Sequence, residues 1–414
     1  MGRFFYYIGI KAYGLAIYTA SLFSDKAKLW VHGRRQWKVK LKKHFANNQS
    51  FVVWLHCASL GEFEQGRPLI EEIKKTHPNY KILLSFFSPS GYELGKNYAL
   101  ADWTVYLPID SPSNAKWFIE ITKPKLALFI KYEFWYYYLS ELKRKTIPTY
   151  LVSAHFRSNQ IFFKWYGGFF RNILGCFTHL FVQEQQSLEL LKALKLPVTV
   201  AGDTRVDRAW AVRQNAKRFV DVEQFINNRN PLVAGSTWAR DESNLLQLWK
   251  NYDSANFDCM LIAPHHIDEK RIEKLEKRLG NQAHIRYSRL ANAEDKTQYS
   301  ILIIDNIGML SSLYRYAKIA YVGGGFGAGI HNILEAVIYE LPVIFGPQYQ
   351  KFQEALDLSK LKIAYPYKNP EALEKIMRLL DDSKVYEEIK LVAADYIKNQ
   401  KGATTKIMRR LALP

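Results

Sequence analysis

The sequence is poor in the residues that build disulfide frameworks and metal centres. Its three cysteines, Cys57, Cys176 and Cys259, lie far apart and form no Cys-x-x-Cys pair. This spacing argues against a disulfide scaffold and a cysteine-based zinc site, and it favours a reducing compartment. The chain also has no His-Glu-x-x-His pattern and no Asp-x-Asp pair of the kind that holds a divalent ion against a nucleotide diphosphate. We therefore expect no metal site and no cofactor.

Two common phosphate-binding motifs are missing as well. The glycine-rich stretch at residues 323–329, GGGFGAG, matches neither Gly-x-Gly-x-x-Gly nor Gly-x-x-x-x-Gly-Lys-[Ser/Thr]. A dinucleotide enzyme of the usual kind and a P-loop nucleotidase are therefore disfavoured. The sequence also shows no short internal repeat.

Acidic residues are outnumbered by basic ones. The 414 residues include 58 Lys and Arg against 39 Asp and Glu, a formal net charge of +19. This excess predicts an anionic partner, which would be nucleic acid, phospholipid or a phosphorylated substrate. The chain is longer than one typical core, and its 48% hydrophobic content predicts two globular domains.

Residues 4–23 form an apolar and aromatic segment that is interrupted by Lys11. The segment is about long enough to cross a bilayer, but the internal lysine and the tyrosines favour an interfacial helix or a shallow, tilted anchor. A cluster of Lys and Arg over residues 26–43 predicts contact with an anionic membrane surface on the cytoplasmic side. A cleaved signal peptide and a buried first helix are the alternatives.

From residue 51 onward, strand-like runs alternate with helical ones. FVVWLHC, KILLSFF, LALFI and TYLVS form a first series, and PLVAG, CMLIA, ILII, IAYV and PVIF form a second. This alternation predicts parallel sheets flanked by helices in two similar α/β halves. The pattern relaxes over residues 202–230, where we place the hinge. The predicted organisation is an N-terminal membrane helix at residues 1–35, a first domain at 36–208 and a second at 209–414.

Residues 319–347 combine a strand, a glycine-rich turn, the start of a helix near His331 and a further strand. Glycines let a ligand approach the backbone, and free amides at a helix N-terminus favour an anion. His331, Asn332 and Glu335 add three polar side chains that an ordinary turn does not need. The stretch therefore predicts a phosphate site, with an ordinary glycine-rich turn as the alternative.

Two acidic residues follow strands of the first series. In open α/β sheets the ligand lies beyond the carboxyl ends of the strands. Glu62 follows FVVWLHC, and Glu133 follows LALFI. We interpret them as a paired catalytic site, with Glu62 as a general base that the helix dipole keeps ionised at neutral pH. The alternative is that each residue only caps a helix.

Polar residues also follow strands of the second series. Ser236 and Thr237 follow PLVAG, where hydroxyls and amides predict a small anion site or, equally, a helix cap. His265 and His266 follow CMLIA, but their spacing does not suit a metal. Nucleotide chemistry here would rely on helix dipoles and basic side chains to carry the phosphate charge.

Seven short stretches occur along the chain in a fixed order. They are residues 28–34 (KLWVHGR), 59–62 (SLGE), 132–135 (YEFW), 202–205 (GDTR), 235–237 (GST), 323–335 (GGGFGAGIHNILE) and 345–347 (FGP). In this order and at these separations they resemble the transferases of 3-deoxy-D-manno-octulosonic acid (Kdo) that build the inner core of lipopolysaccharide.

The resemblance implies a GT-B glycosyltransferase with two Rossmann-like domains that face an interdomain cleft. The first domain would bind a lipid A precursor as acceptor, and the second would bind the donor CMP-Kdo. Transfer would proceed with inversion and without a metal. The enzyme would act at the cytoplasmic face of the bacterial inner membrane, and nucleic acid would not be a partner.

The resemblance also implies roles for individual residues. Glu62 matches the proposed general base, Glu133 matches a second essential acid, and Arg205 would contact substrate. The donor-binding set comprises Ser236, Thr237, His265, His266, Gly308, Met309, Gly327, His331, Asn332 and Glu335. In that set Glu335 would take the ribose hydroxyls, and the backbone around Gly308 would read the cytosine.

This chain departs from the family pattern at a few positions. His265 stands where an arginine is common, which predicts a nucleotide affinity that depends on pH. Arg205 stands where a lysine is common and keeps the charge. Other readings stay open at this point: another GT-B transferase, a sugar-nucleotide epimerase that uses a UDP-sugar, or, from another class, a basic membrane-surface or nucleic-acid-binding protein.

Overall fold

The structure is a computed structural model that describes residues 2–252 and 257–413. The chain divides into two compact units. Unit 1 runs to Asp207 and includes the chain from Gln400 onward, while unit 2 runs from Arg208 to Asn399.

The end of the chain differs from the predicted second domain at residues 209–414, because it packs in unit 1. Ala403 and Ile407 are buried in the apolar core of unit 1. Asp207 accepts a hydrogen bond from the amide of Gly402 at 2.6 Å. The last helix therefore completes the first unit, although in sequence it follows the second.

Unit 1 contains a parallel sheet of seven strands in the order β3-β2-β1-β4-β5-β6-β7. The strands are β1 Val52–Cys57, β2 Lys81–Phe86, β3 Trp103–Tyr106, β4 Leu126–Ile130, β5 Thr149–Ala154, β6 His179–Val182 and β7 Val198–Val200. Every residue of β1, β4 and β5 is buried. Their sequences are therefore nearly continuous apolar runs, as expected for a parallel sheet covered on both faces.

The helices of unit 1 surround this sheet. They are α1 Gly2–Ala20, α2 Asp25–Gly33, α3 Trp37–Phe45, α4 Leu60–Thr76, α5 Pro89–Gly95, α6 Pro112–Thr122, α7 Tyr136–Arg144, α8 Gly168–Leu174, α9 Gln185–Ala193 and α20 Ala403–Met408. Sequence signals set several starts. Ser111 caps α6 by accepting from the amide of Asn114 at 3.2 Å, and Pro112 occupies the first turn, where no amide is needed.

Unit 2 contains a second parallel sheet of seven strands, in the order β10-β11-β9-β8-β12-β13-β14. The strands are β8 Pro231–Thr237, β9 Cys259–Pro264, β10 His284–Arg286, β11 Ile301–Ile303, β12 Ile319–Val322, β13 Val343–Phe345 and β14 Ala364–Pro366. Its helices are α11 Val220–Ile226, α12 Ala239–Asn251, α13 Glu269–Leu279, α14 Tyr287–Leu290, α15 Leu310–Leu313, α16 Leu334–Val337, α17 Gln353–Lys360 and α18 Pro370–Leu380. Helices α10 Thr204–Gln214 and α19 Ser383–Gln400 contain residues of both units.

Strand order creates a switch point in each sheet. In unit 1 the chain passes from β1 to β2 on one side and later places β4 on the other side of β1. In unit 2, β8 is flanked by β9 and β12 in the same way. Ligands of doubly wound sheets bind beyond the carboxyl ends of the strands at such points. The two switch points therefore locate the candidate sites.

Helix α1 lies on the surface of unit 1. No side chain of α1 is buried, so the alternative of a buried first helix does not hold. Tyr6 nevertheless attaches the helix, because its hydroxyl donates to the buried Asp110 at 2.6 Å. Phe4 and Phe5 are about two-thirds exposed. Within residues 2–252 and 257–413, no helix has both the length and the apolar character that crossing a bilayer requires.

Candidate active site

Glu62 is the third residue of α4, just after β1. Ser59 is the N-cap residue, and its amide donates to Glu62 Oε2 at 3.0 Å. The amide of Ala58 donates to the same oxygen. The carboxyl group therefore caps its own helix, as the capping interpretation predicts. Both bonds end on Oε2, and within the described residues no protein group donates to Oε1.

Glu133 lies in the loop between β4 and α7, and only 7% of it is exposed. Trp135 Nε1 donates to Glu133 Oε2 at 2.6 Å, and His56 Nε2 lies 3.0 Å from the same oxygen. The helix that we predicted from about residue 133 begins at Tyr136 instead. Glu133 therefore caps no helix, and its position depends on two ring nitrogens.

The charge of Glu133 affects the protonation of Glu62. Burial and then the charge of Glu133 raise the pKa of Glu62 from its ordinary value of 4.5 to about 8. The two amides and Lys131 oppose this shift but do not outweigh it. The prediction that the helix dipole keeps Glu62 ionised at neutral pH is therefore wrong. Two like charges in one buried site are unfavourable, so the pair retains a proton near neutral pH.

His56 belongs to this site, although it was not among the residues predicted from the sequence. It is the next-to-last residue of β1 and is fully buried. Its Nδ1 atom lies 2.8 Å from Ser85 Oγ on β2, and Trp54 Nε1 donates to that hydroxyl oxygen at 2.7 Å. The signal was a histidine within an otherwise apolar strand that ends beside a predicted acid.

In unit 2, the glycine-rich loop after β12 is held by close backbone contacts. A Cβ atom at Gly323 would lie 2.3 Å from the carbonyl oxygen of Ser236, and one at Gly325 would lie 2.6 Å from the backbone that follows β13. Gly324 has a φ of +91°, and its amide donates to the buried Asp241 at 3.0 Å. Neighbouring backbone therefore requires these glycines, whatever ligand the loop binds.

The helix predicted near His331 is much shorter than expected. It is α16, which spans only Leu334–Val337. Four residues align too few peptide dipoles to hold a phosphate by themselves. Asn332 Nδ2 donates to Glu335 Oε1 at 2.9 Å, so these two predicted donor-binding residues do lie together. Burial raises the pKa of Glu335, and the hydrogen bond from Asn332 opposes that change.

Ser236 and Thr237 form the end of β8, next to the glycine loop. The φ of Ser236 is +53°, at the point where the register between β8 and β9 shifts. The hydroxyl of Thr237 is buried and donates to Glu242 at 2.9 Å. The side chain of Thr237 therefore serves the fold, and an anion at this turn would meet Ser236 and backbone amides.

Three aromatic rings stack beside the loop. The rings of Trp238 and His265 are 5.0 Å apart, and those of His265 and His331 are 4.3 Å apart. Trp238 Nε1 also donates to His331 Nε2 at 3.2 Å. Burial, followed by His265 and His266, lowers the pKa of His331 to about 4, and burial and His266 also lower that of His265. His265 and His331 are therefore neutral at pH 7.

The remaining predicted residues lie at other places. Gly308, with a φ of +91°, and the buried Met309 form the turn that leads into α15. Gly327 is exposed at the tip of the glycine loop. Arg205 lies in unit 1, where it pairs with Asp203 at 2.6 Å. Within residues 2–252 and 257–413, no cluster of three or more His, Cys, Asp or Glu side chains could hold a metal ion.

Two doubly wound parallel sheets, each with polar residues at its switch point, define the class of protein: the fold is GT-B. Solved structures with this fold include UDP-GlcNAc 2-epimerase from Neisseria meningitidis, at a TM-score of 0.57 and 15% identity, covering 87% of this chain and 98% of that one. MurG from Acinetobacter baumannii has a TM-score of 0.54 at 11% identity, covering 87% and 98%. At these identities the likeness shows the fold alone.

Sequence comparison is more specific. A family profile described as 3-deoxy-D-manno-octulosonic-acid transferase (kdotransferase) matches residues 34–208. The chain is 30% identical over 359 residues to the 3-deoxy-D-manno-octulosonic acid transferase of Aquifex aeolicus (strain VF5), covering 84% of this chain and 91% of that relative. The transferase of Rickettsia bellii (strain RML369-C) is 28% identical, covering 84% and 83%.

A longer relative matches as well. The bifunctional glycosyltransferase/methyltransferase of Fusobacterium nucleatum is 25% identical over 373 residues, which cover 84% of this chain but only 57% of that protein. Together with the Aquifex match, these findings show that the chain belongs to the Kdo transferase family and is a glycosyltransferase.

Proposed function

We propose that this protein transfers Kdo from CMP-Kdo to a lipid A precursor during lipopolysaccharide biosynthesis. Glu62 is the general base, the reaction inverts the anomeric centre, and no metal takes part. The observation that carries the proposal is the carboxyl pair of Glu62 and Glu133 at the switch point of unit 1, in a chain of this family.

The pair suits the chemistry of the acceptor. A sugar hydroxyl is a weak nucleophile, and a carboxylate that takes its proton during the attack makes it a stronger one. Oε1 of Glu62 is the atom available for this, since both backbone amides bind Oε2. A base with a raised pKa binds the hydroxyl proton more strongly, but it is ionised in fewer molecules at neutral pH.

The donor would bind to unit 2. The CMP leaving group gains negative charge as the glycosidic bond breaks, and groups placed in advance can stabilise it. The turn at Ser236, the loop near Gly327 and the pair of Asn332 and Glu335 are the groups that we assign to this task. Glu335, which accepts from Asn332 in the free protein, would accept from the ribose hydroxyls instead.

The acceptor is a phosphorylated lipid, and two features of unit 1 suit it. Helix α1 exposes apolar side chains such as Phe4 and Phe5, and Phe23, just beyond its end, is 88% exposed. Residues 26–43 are rich in lysine and arginine. We therefore propose that α1 lies in the interface of an anionic membrane, at the cytoplasmic face of the inner membrane.

The test is a transfer assay with the purified full chain, CMP-Kdo and a lipid A precursor. We expect CMP release together with a product whose mass increases by one or more Kdo units. A parallel reaction with UDP-GlcNAc in place of CMP-Kdo examines the alternative donor. Consumption of the UDP-sugar without any use of CMP-Kdo would contradict the proposal.

A matched pair of variants makes the assay specific. Glu62→Gln should abolish most of the transfer, while Glu64→Gln, two residues along the same helix and paired with Arg67, should leave it unchanged. Equal activity of both variants would show that the transfer does not depend on the carboxyl group of Glu62.

A further inference from the structure

A chain of buried polar groups connects the interior of the unit 1 sheet to Glu133. Trp54 Nε1 lies 2.7 Å from Ser85 Oγ, which lies 2.8 Å from His56 Nδ1. His56 Nε2 lies 3.0 Å from Glu133 Oε2. Trp54, Ser85 and His56 are all fully buried. The alternation of side chains along β1 places Trp54 and His56 on one face, and the β1–β2 register pairs His56 with Ser85.

The direction of the hydrogen bonds in this network follows from which of its groups carry a proton to donate. An indole nitrogen only donates, so Ser85 Oγ accepts from Trp54 and its own proton must go elsewhere. The nearest partner for that proton is His56 Nδ1. A neutral imidazole that accepts at Nδ1 carries its proton on Nε2, which faces the carboxylate oxygen of Glu133. Every group in the sequence Trp54, Ser85, His56, Glu133 then has a matching partner.

We propose that His56 is the positioning residue of the carboxyl pair. With its proton held on Nε2 by Trp54 and Ser85, it donates to Glu133 and fixes the orientation of that carboxyl group beside Glu62. His56 does not touch the reacting atoms. It acts through Glu133, and its partners in the sheet determine its orientation and its tautomer.

In the opposite tautomer of His56 the donor and acceptor roles of the two ring nitrogens would be exchanged. With its proton on Nδ1, His56 would donate to Ser85, whose carbonyl oxygen is 3.2 Å away, and Nε2 would be bare. Trp135 Nε1, 3.1 Å from Nε2, would then donate to it, and the 3.0 Å contact between Nε2 and Glu133 Oε2 would receive no proton from His56. The shorter contact of Trp135 is the one to Glu133, at 2.6 Å, which favours Glu133 over His56 as the acceptor from Trp135.

Other charged groups act on the pair from neighbouring elements. Lys131, just after β4, favours ionisation of Glu62, while the thiol of Cys57 on β1 and the phenol of Tyr13 on α1 are both affected by the charge of Glu133. Within the described residues, the side chains of these three groups share no hydrogen bond with the His56 ring, whose partners are Ser85, Glu133 and Trp135. The effect of a replacement at His56 therefore reports on its bond to Glu133.

The first test reads the tautomer directly and does not depend on any activity. In the full chain with ¹⁵N-labelled histidine, two-bond proton–nitrogen spectra at neutral pH should show His56 with a protonated Nε2 and a bare Nδ1. The signal is assigned as the one lost in His56→Gln. A protonated Nδ1 with a bare Nε2 would overturn the proposal.

The second test compares two amides that reach different positions. The side-chain nitrogen of glutamine in His56→Gln can occupy the place of Nε2 and donate to Glu133, whereas His56→Asn is one methylene shorter. The test rests on the proposed transfer activity and uses the pH profile of kcat/KM. In His56→Asn, Glu133 loses the donor that fixes its orientation, so its charge is no longer held beside Glu62. Because that charge raises the pKa of Glu62, the acidic limb of the profile moves down by about one unit. In His56→Gln the limb should stay where it is.

The outcomes separate the two proposals. A shift in His56→Asn that His56→Gln does not show supports the positioning role. Equal profiles in wild type and both variants would overturn it, even if both variants lose thermal stability. If the wild-type chain transfers no Kdo, the proposed function fails, while the tautomer measurement still decides the role of His56.

Discussion

At the scale of single residues, Glu62 caps a helix and belongs to the carboxyl pair at the same time. Its Oε2 atom accepts from the amides of Ala58 and Ser59, just before α4, while its Oε1 atom has no donor among the described residues. Capping and base catalysis therefore use different oxygens of one carboxyl group. The two roles are therefore compatible, and the pKa of Glu62 determines whether the carboxyl group is ionised and able to act as a base.

Glu62→Gln separates the two roles. Glutamine can still accept from the amides but cannot take a proton, so turnover should fall by about 100-fold or more. In the wild type, kcat/KM should rise with pH through about 8, because the raised pKa keeps Glu62 protonated below that value. CMP binding, measured by calorimetry, should not change, since the residues that we propose for the nucleotide lie in unit 2. Normal turnover in the variant would make Glu133 the leading candidate for the base.

The raised pKa of Glu62 also predicts how the stability of wild type and of Glu62→Gln changes with pH. The folded-state pKa of Glu62 is raised above its ordinary value of 4.5, so the folded protein binds more protons than the unfolded chain between pH 4.5 and about 8. Wild-type stability should therefore fall as pH rises through this window, and Glu62→Gln should escape that loss. The melting temperature of the variant relative to wild type should rise between pH 5 and pH 9. A constant difference would indicate a capping role alone.

His265 allows a second test at this scale. In the free protein His265 is neutral at pH 7 and stacks on Trp238 and His331. His265→Arg supplies a permanent charge at a position where the family often has arginine. A charged donor to phosphate should tighten CMP binding about tenfold at pH 7.5. This gain in CMP affinity should be smaller at pH 5.5, where a larger fraction of histidine is protonated and also carries a charge. Titration calorimetry at both pH values checks this. Weaker binding by the arginine variant would show that the ring stack itself is needed.

At the scale of elements, the glycine loop shows why a motif can be misread. The glycines at 323 and 325 are needed where the loop passes close to other backbone. Ligand approach cannot be inferred from them. Gly327 differs, because it is exposed and the nearest atom to an added Cβ would be 3.6 Å away.

Alanine should therefore destabilise the protein at one position of this loop and leave its stability unchanged at another. Gly323→Ala would place Cβ 2.3 Å from Ser236 O, and the loop would have to move, at a cost of about 1–3 kcal/mol. CMP binding should weaken in Gly323→Ala as well, because the loop moves. Gly327→Ala should leave the melting temperature within about a degree of wild type, because surface changes cost little. Equal loss of stability in both variants would contradict this account of the loop.

Helix α1 is attached without being part of the core. Deleting residues 2–24 should leave a folded protein that no longer floats with anionic vesicles. Tyr6→Phe in the full chain is the matched control. It removes the hydrogen bond to Asp110, should cost about 1 kcal/mol, and should leave vesicle binding unchanged. Circular dichroism and vesicle flotation check both variants. Loss of folding after the deletion would mean that α1 stabilises unit 1 far more than one hydrogen bond does.

At the scale of the whole molecule, the excess of positive charge bears on whether the reaction needs a metal ion. A net charge of +19 suits an anionic lipid and a nucleotide sugar. We expect Kdo transfer to continue in an excess of EDTA, at a rate within about twofold of the untreated enzyme, because side chains and amides would stabilise the leaving group. Inactivation by EDTA with recovery on adding magnesium would contradict the metal-free mechanism.

The sequence by itself determined the central strands of both sheets and the identity of the family. Buried parallel strands need apolar residues on both faces, so each run such as LALFI indicated a strand without any knowledge of its neighbours. The rule that ligands lie beyond strand ends then pointed to Glu62 and Glu133, and short stretches in a fixed order indicated the family.

Only the tertiary structure decided how these elements act on each other. An apolar run records that a strand is buried but not which strands lie beside it, so the neighbours of β1 and the buried partners of His56 were not predictable. The pKa of Glu62 depends on burial and on a charge 71 positions away in sequence, and the local helix signal indicated the wrong direction. The packing of residues 400–413 in unit 1 was not predictable either, because the pattern of an amphipathic helix does not show which core the helix will cover.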